Sequence, residues 1–107
     1  MLTEKTMRID FSHVYHVTDC LKVLANPERL KILCVLIDCE LNVQEIQQAT
    51  HIQQPTLSQQ LTVLRRAKIV STRREGKQIF YQLIDVKVLK IMKNLYELYY
   101  QPMRPAK

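Results

Sequence analysis

The sequence predicts a mainly α-helical fold with one small β-hairpin, in the order α-α-α-α-β-β-α. Apolar residues recur at helical spacing before about residue 67 and after about residue 86. Between residues 69 and 83 the spacing changes to two, which is typical of strands. Hydrophobic residues make up 47% of the chain and it holds one Gly, a composition that favours helices over loops. At 107 residues the chain should form a single domain over 1–107, with an ordered body at about 11–100.

Two helices are predicted on either side of Asn26. From about 11 to 25, apolar residues at positions 14, 17, 21 and 24 form one helical face. Asn26 suits a helix cap and Pro27 suits the first helical position, so a second helix should run from Pro27 to about Asp38. Its inward residues should be Leu30, Leu33 and Ile37.

A turn at residues 51–53 separates two further short helices. The third helix is predicted at about 43–50, and Pro55 opens a fourth at about 55–67. Residues at helical spacing should face the core: Val43, Ile46 and Ala49 in the third helix, and Leu57, Leu61 and Leu64 in the fourth.

The rest of the ordered body should be a hairpin and a last helix. The runs IVSTRR and QIFYQLI flank EGK, which predicts a β-hairpin at about 69–83. A helix at about 86–100 carries a broad apolar face, formed by Leu89, Met92, Leu95, Tyr96 and Tyr99. Two short helices joined by a tight turn and followed by a basic hairpin constitute a winged helix-turn-helix.

The outward surface of the fourth helix indicates that the protein binds DNA. It carries amides and hydroxyls without charge, whereas a solvated helical face usually carries Glu and Lys. Amides and hydroxyls both donate and accept hydrogen bonds, which suits the mixed patterns on base edges in the major groove. We expect DNA contacts from Gln54, Thr56, Ser58, Gln59, Gln60 and Thr62.

Basic residues at the edges of that surface should contact phosphates and fix the register on DNA. The candidates are Arg65, Arg66, Lys68, Arg73, Arg74 and Lys77. Arg74 and Lys77 flank the hairpin turn, which is placed to reach a minor groove. The formal net charge of +6 suits a polyanionic partner, although these residues are alternatively ordinary solvated cations.

Three stretches resemble the ArsR/SmtB family of bacterial winged-helix repressors. They are LANPERLKIL (24–33), QPTLSQQLTVLRRAKIV (54–70) and RREGKQIFYQL (73–83), and the resemblance extends from about Cys20 to Gln101. It implies that Ser58 and Gln60 occupy two polar positions of the recognition helix, the second of which is usually His in that family. The chain is most similar to the thiol-sensing, HlyU/BigR/SqrR-like branch.

The resemblance also locates the two familiar metal sites of the family. The cysteine pair of one site falls on Asn42 and Gln44, and the last helix has lysines and no His where the other site has acidic and His ligands. Neither set suits a soft or borderline metal, so we predict no metal and no cofactor there. His13, His16 and Cys20 lie on one stripe of the first helix, as in half a zinc site, although such stripes are more often surface or interface.

A thiol is the expected sensor. In the thiol-sensing branch, a cysteine in the second helix pairs with one at the end of the last helix; Cys34 matches the first, whereas Tyr100 stands at the second. Cys39 is five residues after Cys34, roughly 8 Å along a helix and beyond disulfide reach unless the helix ends first. Cys34 and Cys20 are the possible redox-sensing residues, and the alternative for Cys34 is a small buried hydrophobe.

We expect a homodimer. If the second to fourth helices fill the core, one chain cannot also cover the apolar faces of the helices at about 11–25 and 86–100. Pairing of these helices about a twofold axis would place two recognition helices about one DNA turn apart, which predicts a roughly palindromic operator in double-stranded DNA. Alternatively, the tyrosines of the last helix pack internally.

Other function classes fit less well. The chain has no apolar run of roughly 18 residues and no secretory signal, so we expect a cytoplasmic protein without a membrane partner. It has no Gly-rich phosphate loop and no nucleophile paired with a base, so we expect no enzyme. The predicted function is a dimeric repressor released from DNA by a redox or reactive-sulfur signal. The alternatives are a winged-helix protein-interaction module, or an ArsR-type regulator that responds to a metal or to no ligand.

Overall fold

A computed structural model describes residues 8–99 of the chain. Its elements are α1 (Val14–Leu24), α2 (Pro27–Val35), β1 (Leu41–Asn42), α3 (Val43–Thr50), α4 (Thr56–Arg66), β2 (Val70–Glu75), β3 (Gln78–Leu83) and α5 (Val86–Tyr99). The predicted winged helix-turn-helix is confirmed, with α3 and α4 as the two helices of the motif and β2–β3 as the wing. Tyr100 lies outside the described residues.

The sheet contains one strand that the sequence does not predict. β1 pairs antiparallel with β3, with Leu41 opposite Tyr81 and Asn42 opposite Phe80, which gives the order β1-β3-β2. Two residues are too few to reveal an alternating pattern, so β1 is recognisable only from its pairing. Gly76 supplies a positive φ of 64° in the two-residue turn between β2 and β3.

The start of α2 is confirmed, whereas its predicted end at Asp38 is wrong. The Asn26 side chain accepts a hydrogen bond from the backbone N–H of Arg29 at 3.0 Å, and Pro27 follows it. The helix ends at Val35 because the N–H of Leu36 is shared between two carbonyls, each at 3.2 Å, which tightens the last turn. Cys39 is therefore outside the helix, and the helical spacing that separated it from Cys34 does not apply.

The helix-turn-helix is held by side-chain bonds at both ends of α3. At the start, Asn42 and Glu45 form a capping box, in which each side chain accepts from the backbone N–H of the other at 2.8 and 2.9 Å. At the end, the buried Thr50 hydroxyl donates to the carbonyl of Ile46 at 2.7 Å and accepts from the N–H of Ile52 at 3.3 Å. His51 takes a left-handed conformation with φ of 61° and lets the chain turn towards α4.

The core lies between α2, α3, α4, the inner ends of β2 and β3, and α5. The predicted inward residues Leu33, Ile46 and Met92 are fully buried, as are the three leucines of α4. The inward prediction for Ala49 is wrong: this residue is exposed and lines a cleft beside α2, because Ile46 and Thr50 occupy the buried side of α3. Among the described helices, none is long and apolar enough to cross a membrane.

Candidate DNA-binding interface

The buried leucines of α4 fix which side of that helix faces outward. Leu57, Leu61 and Leu64 are each at most 2% exposed, so the side chains between them must point away from the core. The predicted contact residues of this region divide by exposure: Gln54, Ser58, Gln59, Thr62 and Arg65 are exposed, and Thr56 and Gln60 are half-buried. The amide and hydroxyl side chains form one uncharged surface, and Arg65 lies at its C-terminal end.

Gln54 and Ser58 are linked at the start of α4. Pro55 precedes the helix and provides no side-chain cap. The Gln54 side-chain oxygen instead accepts from both the backbone N–H and the hydroxyl of Ser58, at 3.0 and 2.8 Å. This arrangement satisfies one free N–H of the first turn. It leaves the lone pairs of the Ser58 oxygen and the amide nitrogen of Gln54 to face solvent.

Gln60 is tied to α2. Its side-chain oxygen accepts a hydrogen bond from Nη1 of Arg29 at 2.7 Å. On the next turn, the Thr62 hydroxyl donates to the carbonyl of Ser58 at 2.9 Å, so its lone pairs remain available. Gln59, between Ser58 and Gln60 in the sequence, is exposed.

Arg73 and Arg74, neighbours on the wing, have different surroundings. The Arg73 guanidinium donates to Glu40 and to Glu75, both at 2.8 Å, and lies 4.6 Å from the centre of the Phe80 ring. These two carboxylates raise the pKa of Arg73 and offset its charge. Arg74 and Lys77 are exposed, and neither has an ion pair with any residue in the range 8–99.

Known proteins with this sequence pattern and fold are transcriptional regulators. The arsR family of bacterial regulatory proteins matches residues 26–72. The Biofilm growth-associated repressor of Agrobacterium fabrum is 50% identical over 82 residues, which cover 77% of this chain and 70% of that protein. The Transcriptional activator HlyU of Vibrio cholerae is 43% identical over 81 residues, covering 76% and 75%. The crystal structure of the transcriptional repressor BigR from Xylella fastidiosa has a TM-score of 0.80 and 41% identity, covering 94% of this chain and 99% of that one.

The chain belongs to the ArsR family of bacterial regulatory proteins. This confirms the predicted resemblance, including its similarity to BigR and HlyU. The protein is therefore a DNA-binding transcriptional regulator and not an enzyme, as its sequence predicts.

The structure gives no metal-binding arrangement to the residues that the sequence analysis considered as metal ligands, within the range 8–99. Asn42, at one inferred cysteine position, caps α3 and donates to the Gln78 side chain at 2.9 Å. The rings of His13 and His16 are 6.3 Å apart on α1. Over residues 8–99, no group of three or more His, Cys, Asp or Glu side chains is arranged to hold a metal ion.

The three cysteines of the chain differ in environment. Cys34 is half-buried in the wall of an open cleft of about 790 Å³, whose polar lining includes Lys31, His51 and Tyr96. Burial raises the pKa of this thiol. Cys20, also half-buried, has its pKa raised first by burial and then by the negative charge of Asp85. Cys39 is exposed.

Sequence reasoning missed two residues that position the interface, Arg29 and Glu40. Arg29 contacts Gln60, 31 residues further along the chain, and Glu40 contacts Arg73, 33 residues further along. No local spacing signals such pairs. A basic residue in the first turn of a helix is unfavourable towards the helix dipole, which is the one hint that Arg29 is retained for a distant contact.

Proposed function

We propose that the protein is a homodimeric repressor that reads a specific operator in double-stranded DNA through α4. The exposed, uncharged surface of α4 carries this proposal, because base edges are the surface that suits it best. The residues proposed to contact DNA are Gln54, Thr56, Ser58, Gln59, Gln60, Thr62 and Arg65 near α4, with Arg73, Arg74 and Lys77 on the wing. We expect Arg74 and Lys77 to contribute more to phosphate binding than Arg73, whose charge is already paired.

The exposure of α1 supports a dimer. Val14, Val17 and Leu21 lie on one face and are 40%, 52% and 50% exposed, and Leu24 is the single buried residue of the helix. An isolated helix of 11 residues is marginal in water, so α1 needs more burial than one chain provides. Because each of these side chains is already about half covered, burying the rest would contribute about 1 kcal/mol per side chain.

The end of α5 also exposes large hydrophobic side chains, of which Tyr96 and Tyr99 lie on one face. Tyr96, Leu98 and Tyr99 are 43%, 70% and 74% exposed. We propose that α1 and α5 pair with their counterparts in a second copy about a twofold axis. Such a dimer presents two α4 helices to one duplex, and a roughly palindromic operator follows from that symmetry.

We propose that a redox or reactive-sulfur signal acts at Cys34, alone or with Cys20, and releases the dimer from DNA. Cys34 lines the cleft between α2, the end of α3 and α5. A group added to this thiol would therefore occupy space beside α5, a proposed dimerisation helix. Because burial raises the pKa of both thiols, they are mainly protonated at neutral pH. A strongly electrophilic inducer, such as a polysulfide, therefore fits better than a mild oxidant.

The test begins with duplexes selected by the protein from a randomised library at low salt. On a selected duplex, Ser58→Ala and Gln59→Ala should each lower specific affinity about tenfold, while binding to unrelated DNA changes little. Gln82→Ala is the matched control, because it truncates an exposed amide at the inner end of β3, outside the proposed DNA contacts and the proposed dimer surface. If the library yields no enriched duplex, the proposed function is wrong.

A further inference from the structure

Arg29 joins three helices at one point. Its Nε donates to the carbonyl of Val23 at 2.5 Å and its Nη2 to the carbonyl of Lys22 at 3.3 Å. These carbonyls belong to the last turn of α1, where helical carbonyls have no partner within the helix. The remaining arm, Nη1, donates to the side-chain oxygen of Gln60 on α4 at 2.7 Å. The guanidinium is therefore held in a fixed position beside the proposed recognition surface.

We propose that Arg29 determines which base is preferred at the operator position that Gln60 reads. A guanidinium carries only donors, so the Gln60 atom that faces it must be the carbonyl oxygen. The amide nitrogen then points the other way, and within residues 8–99 it has no hydrogen-bond partner. In the proposed complex, the two N–H donors of the Gln60 amide therefore face the DNA. This inference rests on the proposed function, in which α4 lies in the major groove.

The fixed amide changes the expected base. An unconstrained Gln pairs with adenine through both of its atoms, accepting from N6 and donating to N7. With its oxygen engaged by Arg29, Gln60 requires an edge that accepts hydrogen bonds. Guanine offers two acceptors, O6 and N7, and thymine offers O4, whereas adenine offers only N7 beside an amino donor and cytosine presents an amino donor. We therefore expect guanine or thymine at this position of the operator.

A purely structural role for Arg29 predicts a different result. If it served only to satisfy the carbonyls of α1, its removal would lower stability and would weaken all duplexes to a similar extent. The base preference at a single position is therefore the informative measurement. It is also unaffected by the loss of one positive charge, which changes affinity for every sequence alike.

The experiment uses a duplex selected by the wild-type protein, with each position replaced in turn by the other three bases. Gln60→Ala first identifies the position at which preference depends on Gln60. Arg29→Met should then shift that position towards adenine by about fivefold, the effect of one net hydrogen bond, and leave other positions unchanged. In the Gln60→Ala background, the same substitution should have no effect on base preference. Lys31→Met, which removes an exposed charge from the same helix, should leave the preference unchanged.

A second variant avoids dependence on the stability of Arg29→Met. Gln60→Glu keeps an acceptor for Arg29 and replaces the N–H donors with an oxygen, so its preference should move to cytosine, whose N4 donates. The proposal is overturned if no position depends on Gln60, if folded Arg29→Met retains the wild-type preference, or if Gln60→Glu still prefers guanine or thymine. Failure of the wild-type protein to enrich any duplex contradicts the proposed function instead.

Discussion

At the scale of single residues, adjacent cations of the wing have different roles. Arg73 is held by Glu40 and Glu75 and stacks on Phe80, so it fixes the wing to the segment that follows α2. Arg74 has no such partner among the described residues. Both residues lie in one strand and have the same charge. The sequence alone could not distinguish them, because Glu40 is brought to Arg73 only by the fold.

This difference predicts unequal salt dependence. Arg74→Ala should reduce the slope of log affinity against log salt by about 0.9, the value for one phosphate contact. Arg73→Ala should reduce the slope by less than half of that amount, because its charge is already offset by two carboxylates. Titration of a selected duplex at several salt concentrations measures both slopes. Equal reductions would contradict the roles assigned to these two residues.

The Cys34 thiol leads to a prediction about pH. Burial raises its pKa, and the thiolate is the reactive form, so alkylation should accelerate with pH and reach half its maximum above the midpoint of the unfolded chain. A variant that carries Cys20→Ser and Cys39→Ser isolates this thiol. Its rate of reaction with iodoacetamide is measured from neutral to alkaline pH, with the same variant in concentrated urea as the reference. A folded midpoint below the urea value would show that the site activates the thiol.

At the scale of elements, the sequence predicts a helix or strand well where the determining signal is local. Asn26 and Pro27 fix the start of α2, and the spacing of three leucines fixes the inner face of α4. Features set by distant contacts were missed. β1 exists through its pairing with β3, and the end of α2 depends on the geometry of a shared N–H. For the candidate site, the outward residues of α4 were predictable, whereas the contact from Arg29 to Gln60 was not.

The exposed face of α1 leads to a prediction about assembly. Leu21→Lys places a charge in the proposed dimer interface and should weaken self-association at least tenfold, since a buried unpaired charge is strongly unfavourable. Asp19→Lys is the control, because it introduces the same side chain roughly on the opposite side of the helix. Analytical ultracentrifugation over a concentration series measures both. Equal self-association of the two variants would mean that the Leu21 face is not the interface.

At the scale of the whole molecule, the proposed dimer interface, the surface of α4 and the DNA site depend on one another. In the proposed dimer, the partner covers the exposed face of α1 and supplies a second α4, and two α4 helices require a symmetric DNA site. Arg29 connects α1 to the surface of α4, since it bonds the end of α1 and a side chain of α4. A signal that moves α1 relative to α2 would thereby alter the surface offered to DNA.

Methylation interference on a selected duplex is the most direct test of the central claim, that paired α4 helices contact base edges in the major groove. Methylation of guanine N7 blocks an acceptor on that edge. We predict two symmetric clusters of interference, about 10 base pairs apart, both lost when Ser58→Ala and Gln59→Ala are combined. A single cluster, or specific binding that tolerates methylation at every guanine, would contradict the account.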